Sequence, residues 1–350
     1  MAGIVNGVAN STCGLNTVSA ANNMSGATII MTNNINLNPG MTFDMNETTG
    51  DAIISGTNLN TFSTVPTSWV PIGTSASLFQ GTFDGDRHVI KGVYVYGTSD
   101  EQGLFGRIHD AVIDSIGVEN SFIKGYRGVG GIVGNMSNAV INNSYNAANI
   151  NNSGTGGGIV GYNILSFVTN CYNTGTIYST GVPGTSCGGI AGFVEGGEIE
   201  NCYNGGIVKS PSGSAGGIAG TLTNYGVGLI TNCYNTGEIS AQYYAGGITS
   251  SNYKTIDYCY NTGEITGNIS SAGGISGANV MAGIITNSHN SGTVNTVVAG
   301  TLVGEGTPAG AGCGTESITH DGIITKLNEW VVADGTGTYR SWQISAPYLV

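Results

Sequence analysis

Cysteine, tyrosine and asparagine stand side by side in "NCYNTGTI" (residues 170–177), and again in "NCYNGGIV" (201–208) and "NCYNTGEI" (232–239). A thiol beside a phenol and two amides has the residue types of a metal ligand, a nucleophile or a redox pair. Zinc would need a second cysteine at two-residue spacing or a partnering histidine, and the copies have neither. The flanking copies also replace cysteine by Ser144 and Ser288, and tyrosine by His289. A thiol mechanism cannot absorb those changes, whereas a structural column can. Cys171, Cys202, Cys233 and Cys259 are therefore expected as a column of small buried residues. Tyr172, Tyr203, Tyr234 and Tyr260 should stack beside it, and Asn173, Asn204, Asn235 and Asn261 should form an amide ladder. The same asparagines are expected at the turn, where left-handed backbone suits them, with Gly175, Gly206, Gly237 and Gly263 completing it. Rung-to-rung disulfides are poorly aimed between in-register parallel strands, so most of the seven cysteines are expected as free thiols.

Other candidate chemistry is sparse. The densest polar cluster is "FDGDRHVIKG" (83–92), where Asp84, Asp86, Arg87 and His88 have His109 and Asp110 nearby in sequence. D-G-D is also ordinary turn chemistry, and a calcium loop needs more oxygen ligands than this stretch offers. Glu198 with Glu200, and Glu238 with Glu264, are the carboxylates best placed to share a face. Glycoside cleavage would need such acids converging on a groove, and solvated acids on an outer wall are the simpler expectation. No H-E-x-x-H, G-x-S-x-G or phosphate-binding loop occurs. No catalytic residue, metal site or cofactor is expected. Tyr243, Tyr244 and Tyr253 lie outside the repeated column and are candidate ligand-contact aromatics. An ice-binding threonine array is broken, because Ala147 and Gly205 interrupt Thr174, Thr236 and Thr262.

The elements that carry these residues follow from their repetition. A glycine pair followed by isoleucine starts at Gly130, Gly157, Gly188, Gly216, Gly246 and Gly273, alternating with the aromatic position at Tyr145, Tyr172, Tyr203, Tyr234, Tyr260 and His289. Successive aromatic spacings are 27, 31, 31, 26 and 29 residues, which defines a unit of about 28. Each unit holds three short apolar pieces, such as "GGIVG", "FVTNCY" and "GTIYS", none with helical spacing. Three strands per coil of a parallel β-solenoid are predicted, with about seven coils spanning roughly 34 Å. Surplus residues such as "TGVPGTSC" (180–187) are expected to bulge from corners. The expected organisation is a cap with initial strands over 1–65, lead-in coils over 66–101, solenoid over 102–304 and a C-terminal cap over 305–350. Short helices are expected at 15–24 and 324–332.

Composition agrees with an all-β fold. Of 350 residues 60 are glycine and only 9% are charged, which excludes charged helical bundles, while 40% hydrophobic residues argue against disorder. The net charge is −12, from 21 acidic against 9 basic residues, so nucleic acid and anionic lipid are disfavoured partners. No apolar run is long enough to cross a membrane. The first residues lack the pattern of a signal peptide, so the chain is expected to be either cytosolic or, as composition favours, a piece of a longer secreted protein.

The recurrent "GGIVG…NCYNTG.I" resembles the GLUG repeat, found in bacterial surface and secreted proteins that include adhesins and some IgA-cleaving metallopeptidases. "WVPIGTSASLFQGTFDGDRHVIKGVYV" (69–95) with "GLFG" (103–106) resembles the usual lead-in to such arrays, so the resemblance covers about residues 66–304. It implies a solenoid at the bacterial exterior and carries over no catalytic residue. The expected role is a non-catalytic stalk or binding module. Its partner would be a host surface glycan or protein, or copies of itself in an end-to-end filament. A carbohydrate-active enzyme is the alternative.

Overall fold

The apolar pieces of the repeat are too short for helices, and their β-branched residues favour extended backbone. In the computed structural model they are strands, each paired in parallel with the equivalent piece one repeat on. The structure describes residues 23–298, 302–306, 344–345 and 348–349. It is an all-β parallel solenoid of about eight turns, with no helix among the described residues.

One coil shows the path. It runs through Gly156–Gly157, Val160–Ile164, Phe167–Thr169, Tyr172–Asn173 and Ile177–Ser179, which we call walls one to five. The coil thus has five short strands where the sequence predicts three. Two corners cause the difference. The amides of Ile159 and Val160 both donate to the Ile190 carbonyl, at 2.9 and 3.0 Å, and that shared acceptor bends "GGIVG" in the middle. Asn170 takes left-handed backbone (φ 52°) and splits "FVTNCY". Wall three stacks nine strands, from Thr28–Ile30 to Ile284–Thr286, and wall two stacks eight, ending in Val303–Gly306. At about 4.8 Å per step, nine strands span about 38 Å. The insertion after Ser179 leaves from the corner between walls five and one, with Val182 at its tip, and the ladders continue beneath it.

Two residue columns fill much of the interior. The middle residue of wall three (Ile141, Val168, Ile199, Ile230, Ile256, Ile285) is in register coil after coil and fully buried. Opposite it, the isoleucine after each glycine pair is equally buried. Burying each such side chain contributes about 1.5–3 kcal/mol.

Among the described residues the chain also leaves this path near its start. After Ile35–Asn36 it forms an antiparallel hairpin, Met41–Met45 with Ala52–Gly56, laid along the outside of wall five. The strand MTFDM alternates buried and exposed residues, so Met41, Phe43 and Met45 pack on Phe122 and Tyr178 while Thr42 and Asp44 face water. Residues 38–56 therefore lie along the rod's side rather than across its end. The expected helix at 324–332, Cys13, Cys313 and most of the segment 15–24 lie outside the described residues. Within 305–350, Ile344–Ser345 pairs antiparallel with Tyr348–Leu349.

Candidate functional site

The repeated motif is built from the inside outward. Asn146, Asn173, Asn204, Asn235, Asn261 and Asn290 form a continuous interior ladder, each Nδ2 donating to the next Oδ1 at 2.7–2.8 Å. The second Nδ2 proton goes to the carbonyl two residues on, at 2.9–3.0 Å. A buried amide with its donors and acceptor satisfied avoids the desolvation penalty that an orphan would carry.

This ladder also explains the glycine pair. A Cβ on Gly189 would sit 2.3 Å from Asn204 Cγ and 2.1 Å from the Gly217 carbonyl oxygen, and Gly217 and Gly247 meet Asn235 and Asn261 in the same way. The two alternating sequence marks are the two sides of one contact across the coil.

The turn is placed differently from the sequence reading. The left-handed residue precedes the cysteine (Asn143, Asn170, Asn201, Asn232, Tyr258 and Asn287, φ 46–52°), and the ladder asparagines lie in strands. Nor do the following glycines need a left-handed conformation. A Cβ on Gly206 would stand 2.1 Å from the Gly175 carbonyl oxygen, so close approach between coils is the constraint there.

Cys171, Cys202, Cys233 and Cys259 form the expected buried column of free thiols. Each Sγ donates to the carbonyl two residues back, at 3.1–3.3 Å. Ser144 and Ser288 make the same bond at 2.7 Å. That shared donor geometry is why serine and cysteine interchange here. Burial pushes the thiols of Cys171 and Cys233 well above their ordinary value. Cys187, in wall one, is pushed up to about 12 by burial. These are inert protonated thiols and not nucleophiles.

The aromatic column stacks as expected. Ring centroids are 4.8 Å apart for Tyr145–Tyr172, 5.7 Å for Tyr203–Tyr234 and 5.3 Å for Tyr260–His289. Burial and its bond to Glu119 hold the Tyr145 hydroxyl well above the ordinary phenol range. Burial raises the Glu119 carboxyl, but hydrogen bonds from Tyr145 and Lys91 outweigh it and leave the group below its ordinary range. Ser250, which replaces a repeat glycine, is buried and donates to the Gly220 carbonyl of the preceding coil at 2.5 Å.

The other candidates disperse. Asp84 is on wall three, where its carboxylate caps the Asp86 amide at 2.8 Å, and His88 faces Asn34. His109 is at the far end of wall two. Its Nδ1 lies 2.8 Å from Ser137 Oγ and its Nε2 lies 3.3 Å from Asp110. This has the connectivity of a serine–histidine–aspartate relay, but the adjacent amides of Asp110 and Asn138 already donate to the Ser137 and Ile164 carbonyls. Neither is left to stabilise an oxyanion. Glu238 and Glu264 stand one residue before wall five in successive coils, and Glu264 accepts from Asn295 at 2.6 Å. Glu198 and Glu200 share the outer side of wall three, with Glu200 nearly buried. Tyr243 and Tyr244 lie at the corner between walls five and one, whereas Tyr253 lies between walls two and three, so they form no common patch. No group of three potential metal ligands occurs among the described residues.

The feature missed in the sequence is the hairpin. It is held along wall five by polar contacts from four successive coils. Asn120 receives the Phe43 amide and donates to the Met41 carbonyl, at 3.0 and 2.8 Å. Asn151 donates to the Gly50 carbonyl at 2.5 Å, and Tyr178 donates to the Thr48 carbonyl at 2.7 Å. Lys209 reaches the Glu47 carbonyl, and Lys124 pairs with Asp51 at 2.7 Å. At its tip an open recess is lined by Glu47, Thr176, Tyr178, Ile207, Lys209 and Glu238. The signals were the alternating MTFDM and the turn-rich NETTG after it.

The fold is similar to that of a candidate immunoglobulin A1 protease from Bacteroides ovatus, with a TM-score of 0.54 and 20% identity over 93% of this chain and 86% of that one. A structure named IgA1 protease matches with a TM-score of 0.48 and 14% identity, and this chain spans 21% of its length. No family model and no curated protein sequence matches the chain. At this identity the first likeness bears on the fold alone.

Proposed function

We propose that this chain is a non-catalytic, extracellular structural module: a rigid solenoid stalk or binding domain of a bacterial surface protein, of the GLUG-repeat type. The observation that carries this reading is the direction in which the repeat faces. The repeated asparagine, the cysteine or serine, and the isoleucines all point into the rod, where they make one coil fit the next. The outward positions vary between coils, as in Glu198, Leu229 and Thr255 on wall three. Selection for a stiff spacer acts on such an interior, whereas a catalytic solenoid needs acids converging on a groove of one outer wall. The sequence motifs and the solenoid architecture shared with the Bacteroides protein agree with a surface location. The partner is a host surface glycan or protein.

Antibody staining of intact and permeabilised cells of the encoding organism tests the location. Staining of intact cells is expected, and staining only after permeabilisation overturns the reading. Incubation with a polysaccharide panel tests the enzymatic alternative, with no release of reducing ends or unsaturated sugars expected.

A further inference from the structure

One corner of the rod, between walls two and three, carries exposed apolar side chains on alternate coils. Leu165 and Phe167 occupy it in one coil, and Tyr225 and Val227 two coils on, the latter pair 67% and 72% exposed. Met281 and Ile284 occupy it two coils further, at 74% and 53% exposed. In register on wall three, the outward residues at this corner are Phe167, Glu198, Leu229, Thr255 and Ile284. In a chain with net charge −12, five coils of one edge therefore present a mainly apolar stripe. Isolated exposed apolar residues are common, but an aligned row marks an interaction surface.

Charges of opposite sign interrupt the stripe: Glu198, with Glu195 ending wall two in the same coil, and Lys254. Glu198 lies one coil before Leu229. Lys254 lies one coil after it, its stem laid over Gly228 with Cγ 3.0 Å from where a glycine Cβ would stand. Neither takes part in an ion pair among the described residues. The stripe is thus symmetric about the Leu229 coil: apolar, acid, apolar, base, apolar.

We infer that this corner is a self-complementary surface on which a second copy of the chain packs side by side and antiparallel, about a two-fold axis parallel to the strands at the level of Leu229. That operation sets Phe167 of one copy opposite Ile284 of the other, and Leu229 opposite itself. It also sets Glu198 opposite Lys254, twice. An isologous interface has this reciprocity, whereas parallel rods staggered by two coils would pair the two charges only once. The stripe is a single corner of the rod interrupted by charges, so a weak association that depends on concentration is expected. Copies crowded on one surface would gain from it through avidity. The inference stands independently of the surface-module reading, since it concerns the isolated chain.

Sedimentation equilibrium of the 350-residue chain, over a concentration series and at low and high salt, tests it. A monomer–dimer equilibrium that weakens with salt is expected. Glu198→Lys and Lys254→Glu should each weaken dimerisation about tenfold, and the double charge swap should restore it to within about threefold. Val227→Asp should abolish it with the circular dichroism spectrum unchanged. A monomer at every concentration up to about 1 mM overturns the proposal. So does a dimer that ignores these substitutions, or one that the double swap fails to restore.

Discussion

At the scale of single residues, the coil corners separate conformational demand from packing demand. The position before the cysteine needs left-handed backbone. Asparagine meets it in five coils, and Tyr258 meets it at φ 50°. A bulky residue there costs about 1–2 kcal/mol in backbone strain. The preceding coil shows a second cost, because the Asn232 Oδ1 atom is buried without a hydrogen-bond partner while its Nδ2 donates to Asn201 at 2.6 Å. Tyr258→Asn should relieve the strain and supply the missing donor, raising stability by about 1 kcal/mol in chemical denaturation. Asn204→Ala should do the reverse. It removes the acceptor of Asn173 and the donors to Asn235 and to the Gly206 carbonyl, all deep in the rod. A loss of about 3–5 kcal/mol is expected, several times that of a surface threonine substitution, and a loss below about 1 kcal/mol would contradict the ladder's role.

At the scale of elements, the hairpin and the rod have different kinds of stability. Each coil is held above and below by ladders, whereas the hairpin is docked by one face and a few side-chain bonds. Phe43 is its buried centre, stacked on Tyr94 with centroids 5.6 Å apart. Phe43→Ala should cost about 3 kcal/mol of docking. Amide exchange in residues 41–56 should then accelerate by two orders of magnitude or more, with walls two and three unchanged. Uniform acceleration throughout would show instead that hairpin and rod unfold together. The Lys124–Asp51 pair is half-exposed, and Lys124→Met should alter stability by less than about 1 kcal/mol.

At the scale of the whole molecule, the interior is a single column of apolar and amide groups with its thiols buried. The Cys187 thiol titrates near 12 when folded and near 9 in the unfolded chain. A raised folded pKa gives a contribution fully present below pH 9 and lost as the pH climbs from 9 toward 12. Denaturation midpoints should therefore be flat from neutrality to about pH 9 and fall beyond it. In the same experiment a thiol reagent at pH 8 should leave Cys171, Cys187, Cys202, Cys233 and Cys259 unmodified until denaturant is added. Rapid labelling of any of them in the native protein would contradict their burial.

The repeat period, the all-β class, the asparagine ladder, the stacked aromatics and the cysteine column could all be read from sequence. Each is an interaction of a residue with its own copy one coil away, so identity at a fixed spacing encodes it directly. The number of strands per coil could not be read so easily. It depends on which of the two asparagines of NCYN, three residues apart, turns left-handed, and both have the same propensity. The hairpin's place on wall five and the separation of Tyr253 from Tyr243 and Tyr244 were decided by tertiary structure alone. Each relates residues that are not repeat equivalents, and the register that brings them together is fixed only when the coils stack.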